Sequence, residues 1–105
     1  MFNKLLDIVR GYLKKYPEGN APFQIATRLA EETGEVASDI THTEGGKAKL
    51  AKLGKPDRYH LAMELQHVMQ ATLTLIEHYG LWKELEKSIN TTRQDLQKEG
   101  FISSK

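Results

Sequence analysis

Glu31, Glu32 and Glu35 stand together on one stretch of the chain, and Glu64 with His67 follows on the next long one. Carboxylate oxygens grouped in this way suit a hard divalent cation such as Mg²⁺ or Mn²⁺. The sharpest signal is the position of Glu32. At about 100° per residue, Ile25, Leu29, Val36 and Ile40 fall on one narrow helical stripe, and Glu32 falls inside it. Glu35 and Asp39 run along the edge of the stripe, with Arg28 between them. An ionised carboxylate facing a helical core is costly unless it is paired or holds a cation. Glu32 therefore needs a partner.

Glu64 repeats the pattern. Leu61, Leu65, Val68, Thr72, Ile76 and Tyr79 give the next long segment its apolar face, with Glu64 on the border of that face and His67 one turn further on. Packed antiparallel, the two helices can bring Glu32 and Glu35 to Glu64 and His67, three carboxylates and an imidazole. Bundle interiors are a known place for such sites. Taken alone, Glu31-Glu32-x-x-Glu35 is more often a solvated face with a salt bridge to Arg28. The placement of Glu32 and the second carboxylate on the following helix favour the metal. His42, His60 and His78 receive no role from their spacing.

Four helical segments must position these groups. The first runs from about Phe2 to Tyr16, with Leu5, Leu6, Ile8, Val9, Tyr12 and Leu13 on its apolar side, and Pro17, Gly19 and Asn20 end it. The second starts at Pro22, a residue suited to a first helical turn, and runs to about Thr43, where Gly45 and Gly46 stop it. The lysine-rich stretch Lys47 to Lys55 has room for a short helical turn. The third helix starts at Asp57 as N-cap and runs to Tyr79, with Gly80 as its stop; the fourth runs from Leu81 to Lys98. No strand pattern or repeat is present. Short connections between long helices predict one all-α domain, residues 1–105, packed as an antiparallel four-helix bundle.

Composition narrows the function. The chain has 105 residues, with 15 basic against 14 acidic side chains, so no bulk attraction to nucleic acid or an anionic membrane is expected. It has no cysteine, which excludes disulfides and thiolate metal sites. The first residues mix Leu and Ile with Lys, Asp and Arg and do not read as a signal peptide. No apolar run is long enough to span a bilayer. The expectation is a soluble, cytoplasmic protein whose modest core favours oligomerisation.

Three stretches occur in a telling order. They are Leu29-Ala30-Glu31-Glu32-Thr33-Gly34-Glu35-Val36-Ala37, then Met63-Glu64-Leu65-Gln66-His67-Val68, then Lys87-Ser88-Ile89-Asn90-Thr91-Thr92-Arg93. Together they resemble the MazG-like nucleoside triphosphate pyrophosphohydrolases, of the all-α pyrophosphatase superfamily that also holds the dimeric dUTPases. The resemblance covers about Phe23 to Arg93. It implies Mg²⁺-dependent cleavage between the α- and β-phosphates, giving nucleoside monophosphate and pyrophosphate. By the same resemblance Glu32, Glu35 and Glu64 would be metal ligands, with Glu31 and Glu35 acting on the attacking water. Lys87, Asn90 and Arg93 would contact phosphates, Lys87 being turned furthest away. Arg93 also lies beside the stripe of Trp82, Leu85, Ile89 and Leu96, where its alternative is an ordinary arginine laid along apolar surface.

The family pattern has Asp where this chain has His67. An imidazole removes one charge and offers nitrogen, which suits Mn²⁺, Co²⁺ or Zn²⁺ better than Mg²⁺. Either the metal preference differs, or the protein is a catalytically weak or inactive nucleotide-binding module. Lys47, Lys49, Lys52 and Lys55 would close over phosphates or form a solvated linker. Phe23, Tyr59 and Trp82 would stack on a base or fill the core. The family habit of building its site with a neighbouring subunit implies a homodimer or homotetramer.

Overall fold

Helices α1 (Phe2–Lys15), α2 (Pro22–Glu44), α3 (Gly46–Leu53), α4 (Arg58–Tyr79) and α5 (Trp82–Lys98) follow one another along the chain. The computed structural model describes residues 1–103, and at Lys49 the backbone alone. Among the described residues there is no strand, and no helix is long and apolar enough to cross a membrane. The protein is all-α, as its periodicities predict.

The turn chemistry read from the sequence largely holds. Pro22 opens α2, and the Gln24 side chain accepts a hydrogen bond from the Ala21 backbone N–H at 3.0 Å, satisfying one free donor of the helix start. Asp57 Oδ1 accepts from the His60 N–H at 3.1 Å, the N-cap bond expected of it at the head of α4. Gly80, with φ of 64°, ends α4: its N–H bonds the Glu77 carbonyl and the Leu81 N–H reaches back to Ile76 at 3.0 Å. That paired closure needs a left-handed residue, and glycine supplies it without a Cβ penalty. The lysine-rich stretch differs from the expected single turn, because it forms the two-turn helix α3. His42 Nε2 lies 2.7 Å from the Gly54 carbonyl and ties the end of α3 back to α2.

The chain forms two compact units, Met1–Leu75 and one beginning at Ile76, with the boundary near the end of α4. In the first, the buried apolar residues are Leu5 and Val9 of α1, Ile25 of α2, and Ala71 and Leu73 of α4. Leu5 and Val9 are four apart and Ile25 begins the predicted α2 stripe, but Ile8 and Tyr12 of the expected α1 side and Ile40 at the far end of the α2 stripe are 38%, 48% and 47% exposed. The α4 expectation needs correction. Leu65 is 43% exposed and Tyr79 60%, and Thr72 is exposed, whereas Glu64 and Ala71 are buried. Leu73, buried as well, lies about 180° around α4 from Glu64, so the buried residues of the helix do not share the one predicted face. In the second unit α5 buries no residue, and Trp82 Nε1 donates to Glu77 Oε2 at 3.1 Å.

Candidate metal centre

Helices α2 and α4 of the first unit bring Glu32, Glu64 and His67 together. Each contributes one ligand atom, and these atoms all lie within 4.8 Å of one another. His67 Nδ1 stands 3.4 Å from Glu32 Oε2. Glu64 is 5% exposed, and Oε2 of both Glu64 and Glu32 is buried without a hydrogen-bond partner. A buried, unsatisfied carboxylate oxygen costs several kcal/mol or more unless something positive meets it. A divalent cation answers that need at both oxygens, so the residues present fit such an ion.

Glu35, one turn beyond Glu32, is exposed and faces the same group. Its pKa is raised, first by hydrogen bonding with Glu64 and then by the Glu64 charge and partial burial; Glu32 and the His60 charge act in the opposite sense. Carboxylates held this close resist being ionised together. Glu35 therefore holds a proton more readily than a free glutamate does while no cation is bound.

His60 and Asp39 extend the cluster, and spacing gave His60 no role. His60 Nδ1 meets Asp39 Oδ2 at 2.7 Å, and His60 Nε2 lies 3.5 Å from Glu64 Oε1. The bond to Asp39, followed by the Asp39 charge, raises the His60 pKa. One half of this arrangement was visible in sequence, since His60 and Glu64 are four apart on α4. The other half joins positions on two different helices.

A cleft of about 510 Å³ opens beside the centre and shares Glu32 and His67 with it. Val9, Leu13, Ile25 and Ala71 form its apolar walls; Asn20, Arg28, Gln70 and Thr74 add polar groups. Tyr12 of α1 and Tyr16 just beyond its end line it, with their rings stacked at a centroid distance of 6.0 Å. Among the described residues no salt bridge joins Arg28 to a glutamate. Arg28 donates instead to the Gly19 carbonyl and to Asn20 Oδ1, bracing the α1–α2 turn at the cleft rim.

The remaining expected residues lie elsewhere. Glu31 is exposed and borders a second, shallow hollow with Phe23, Thr27 and Arg28. Lys87, Asn90 and Arg93 are exposed on α5, in the second unit. Lys47, Lys52 and Lys55 are exposed on and after α3, and the Lys49 side chain lies outside the described part of the chain. Phe23 and Tyr59 are 71% and 79% exposed, so neither fills the core. No protein-family model, curated protein or solved structure matches this chain.

Proposed function

We propose that the protein is a metal-dependent nucleoside triphosphate pyrophosphohydrolase, and that α2 and α4 carry its metal centre. The observation that carries this reading is Glu64, a buried carboxylate with an unsatisfied oxygen, converging with Glu32 and His67. The likeness of the Glu31-Glu32-x-x-Glu35 and Glu64-x-x-His67 stretches to the MazG-like pattern supplies the reaction class. Mg²⁺ or Mn²⁺ is the expected ion.

Glu32, Glu64 and His67 would hold the ion, with Glu35 completing the set. Bound there, a divalent cation supplies Lewis-acid polarisation of phosphoryl oxygens and acidifies a coordinated water. Glu35 accepts the proton of the attacking water, and its exposure gives that water access. Glu31 is an auxiliary carboxylate at the neighbouring hollow. The water oxygen bonds to the α-phosphorus, and the α–β bridging oxygen leaves with its electron pair on pyrophosphate. The family resemblance alone assigns phosphate contacts to Lys87, Asn90 and Arg93. The cleft houses the nucleoside, with Tyr12 and Tyr16 as its stacking wall. A second copy of the chain completes the bundle, as a dimer or tetramer.

Pyrophosphate release from a panel of canonical and modified nucleoside triphosphates, with Mg²⁺ and Mn²⁺ in turn, tests the reading. Turnover that is lost in Glu35→Gln supports it; no turnover with any ion overturns it. His67 in the place of an aspartate favours a second reading, a nucleotide-binding module without turnover. Tight nucleotide binding with no product, and turnover gained in His67→Asp, would establish that one instead.

A further inference from the structure

Three contacts join α2 to α4, and they are evenly stepped. Glu32 meets His67, Glu35 meets Glu64, and Asp39 meets His60. Going up α2 the steps are three and then four residues; going down α4 they are three and then four again. Matched steps of this size keep all three pairs on the facing sides of two antiparallel helices. The pairs form a ladder about two turns long, with an acid on α2 in every rung.

The two ends of the ladder differ. At one end the rung is open: His67 Nδ1 stands 3.4 Å from Glu32 Oε2, and that oxygen has no hydrogen-bond partner. At the other end the rung is closed: His60 Nδ1 donates to Asp39 Oδ2 at 2.7 Å, a short charge-assisted bond. His60 Nε2 forms an ion pair with Glu64 Oε1 at 3.5 Å, so the ring stands between two carboxylates. The second Glu64 oxygen, Oε2, is buried without a partner. The ligand atoms of the candidate centre belong to Glu32, Glu64 and His67, at the open end.

We propose that Asp39 and His60 are the positioning pair of the metal centre. Their bond holds α2 and α4 in the register that brings Glu32 to His67, and the imidazole engages Glu64 through Oε1, leaving Oε2 to the ion. His60 is not itself a ligand in this arrangement. The pair sets no net charge beside the ion, because the Asp39 carboxylate offsets the imidazolium. Groups that hold a ligating carboxylate in place are worth about ten- to a hundredfold in metal affinity. The inference rests on the metal reading above but not on the reaction assigned to it.

Chelator-stripped full-length protein is titrated with Mn²⁺ and Mg²⁺ by calorimetry, and the visible absorption of bound Co²⁺ is recorded at saturation. His60→Ala is expected to weaken Mn²⁺ and Mg²⁺ by the same factor, about tenfold or more, because the ligand atoms are unchanged. Its Co²⁺ spectrum at saturation should match the wild type, whereas His67→Ala should change it. Asp39→Asn should lose less, and the double variant no more than His60→Ala, since Asp39 acts through His60. Wild-type affinity in His60→Ala would overturn the proposal. So would a Co²⁺ spectrum altered as in His67→Ala, or losses that add in the double variant. His60 is about half exposed, so its truncation should leave the metal-free fold intact, which circular dichroism checks. If it does not, Asp39→Asn decides alone, and wild-type affinity there overturns the proposal. Unchanged binding in the variants leaves the metal centre standing, and ion binding without triphosphate hydrolysis defeats only the enzymatic reading; a wild type that binds none of the ions defeats both the centre and its positioning pair.

Discussion

Glu64 is buried and has an oxygen that nothing satisfies, and Glu35 leans on it. Without a cation, the two carboxylates oppose one another. Glu64→Gln should therefore leave the metal-free protein at least as stable as the wild type, while removing its response to metal. An ion at about 100 times its dissociation constant adds about 2.7 kcal/mol, which is a rise of roughly 10 °C or more in Tm for a domain of this size. Thermal melts with and without Mn²⁺ should show that rise in the wild type and none in Glu64→Gln. The pH dependence of the metal-free protein follows from two raised pKa values. Glu35 is raised above 4.5 and His60 above 6.5, so in both cases the folded chain binds a proton more tightly than the unfolded one. The stability from His60 is fully present below about pH 6.5 and is lost as pH rises through its folded value; that from Glu35 is lost similarly, from about pH 4.5 upward. Melts in chelator from pH 6 to pH 8 should fall in Tm, and Asp39→Asn should flatten the fall above pH 6.5. Both groups are exposed, so the effect is small.

At the scale of the helix, α2 does two jobs along one stripe. Ile25, 3% exposed, anchors its first turns, and Glu32 two turns later faces the metal group. Ile25→Ala should cost about 2–4 kcal/mol in urea unfolding and displace Glu32, weakening metal binding along with the fold. On α1, Tyr12 faces the cleft and is about half exposed. Tyr12→Ala should raise KM for the nucleotide several-fold with kcat nearly unchanged, because its ring would hold the nucleoside and not the reacting phosphates; an unchanged KM would remove the cleft from the site. The helices and their punctuation were legible in sequence because Pro22, Asp57 and Gly80 act through local backbone chemistry. The Glu32–Glu64–His67 convergence was legible because an acid inside an apolar stripe has few explanations. The packed face of α4 was not. Periodicity locates the most apolar side of a helix, whereas the buried residues of α4 are Glu64, Ala71 and Leu73, which do not lie on that side together. His60 escaped for a related reason, since its partner Asp39 is 21 residues away and on another helix.

At the scale of the molecule, only five apolar residues are buried among those described, from a chain that is 39% hydrophobic. A domain of this size has a modest core in any case, and five small to medium side chains are few even for one. On α4, Leu65 of the predicted apolar face and Met69, four residues on, are meanwhile 43% and 46% exposed. These two residues stand on the first unit's stretch of α4, on a different side from Glu64. A second copy of the chain laid on that face would bury it without blocking the metal group. Sedimentation equilibrium at micromolar concentration should therefore give a dimer or tetramer. Leu65→Glu combined with Met69→Glu should shift it to monomer and lower Tm, because burial of each side chain is worth about 1.5–3 kcal/mol. A wild type that sediments as a monomer, with the double variant equally stable, would mean that the open face of α4 is ordinary surface.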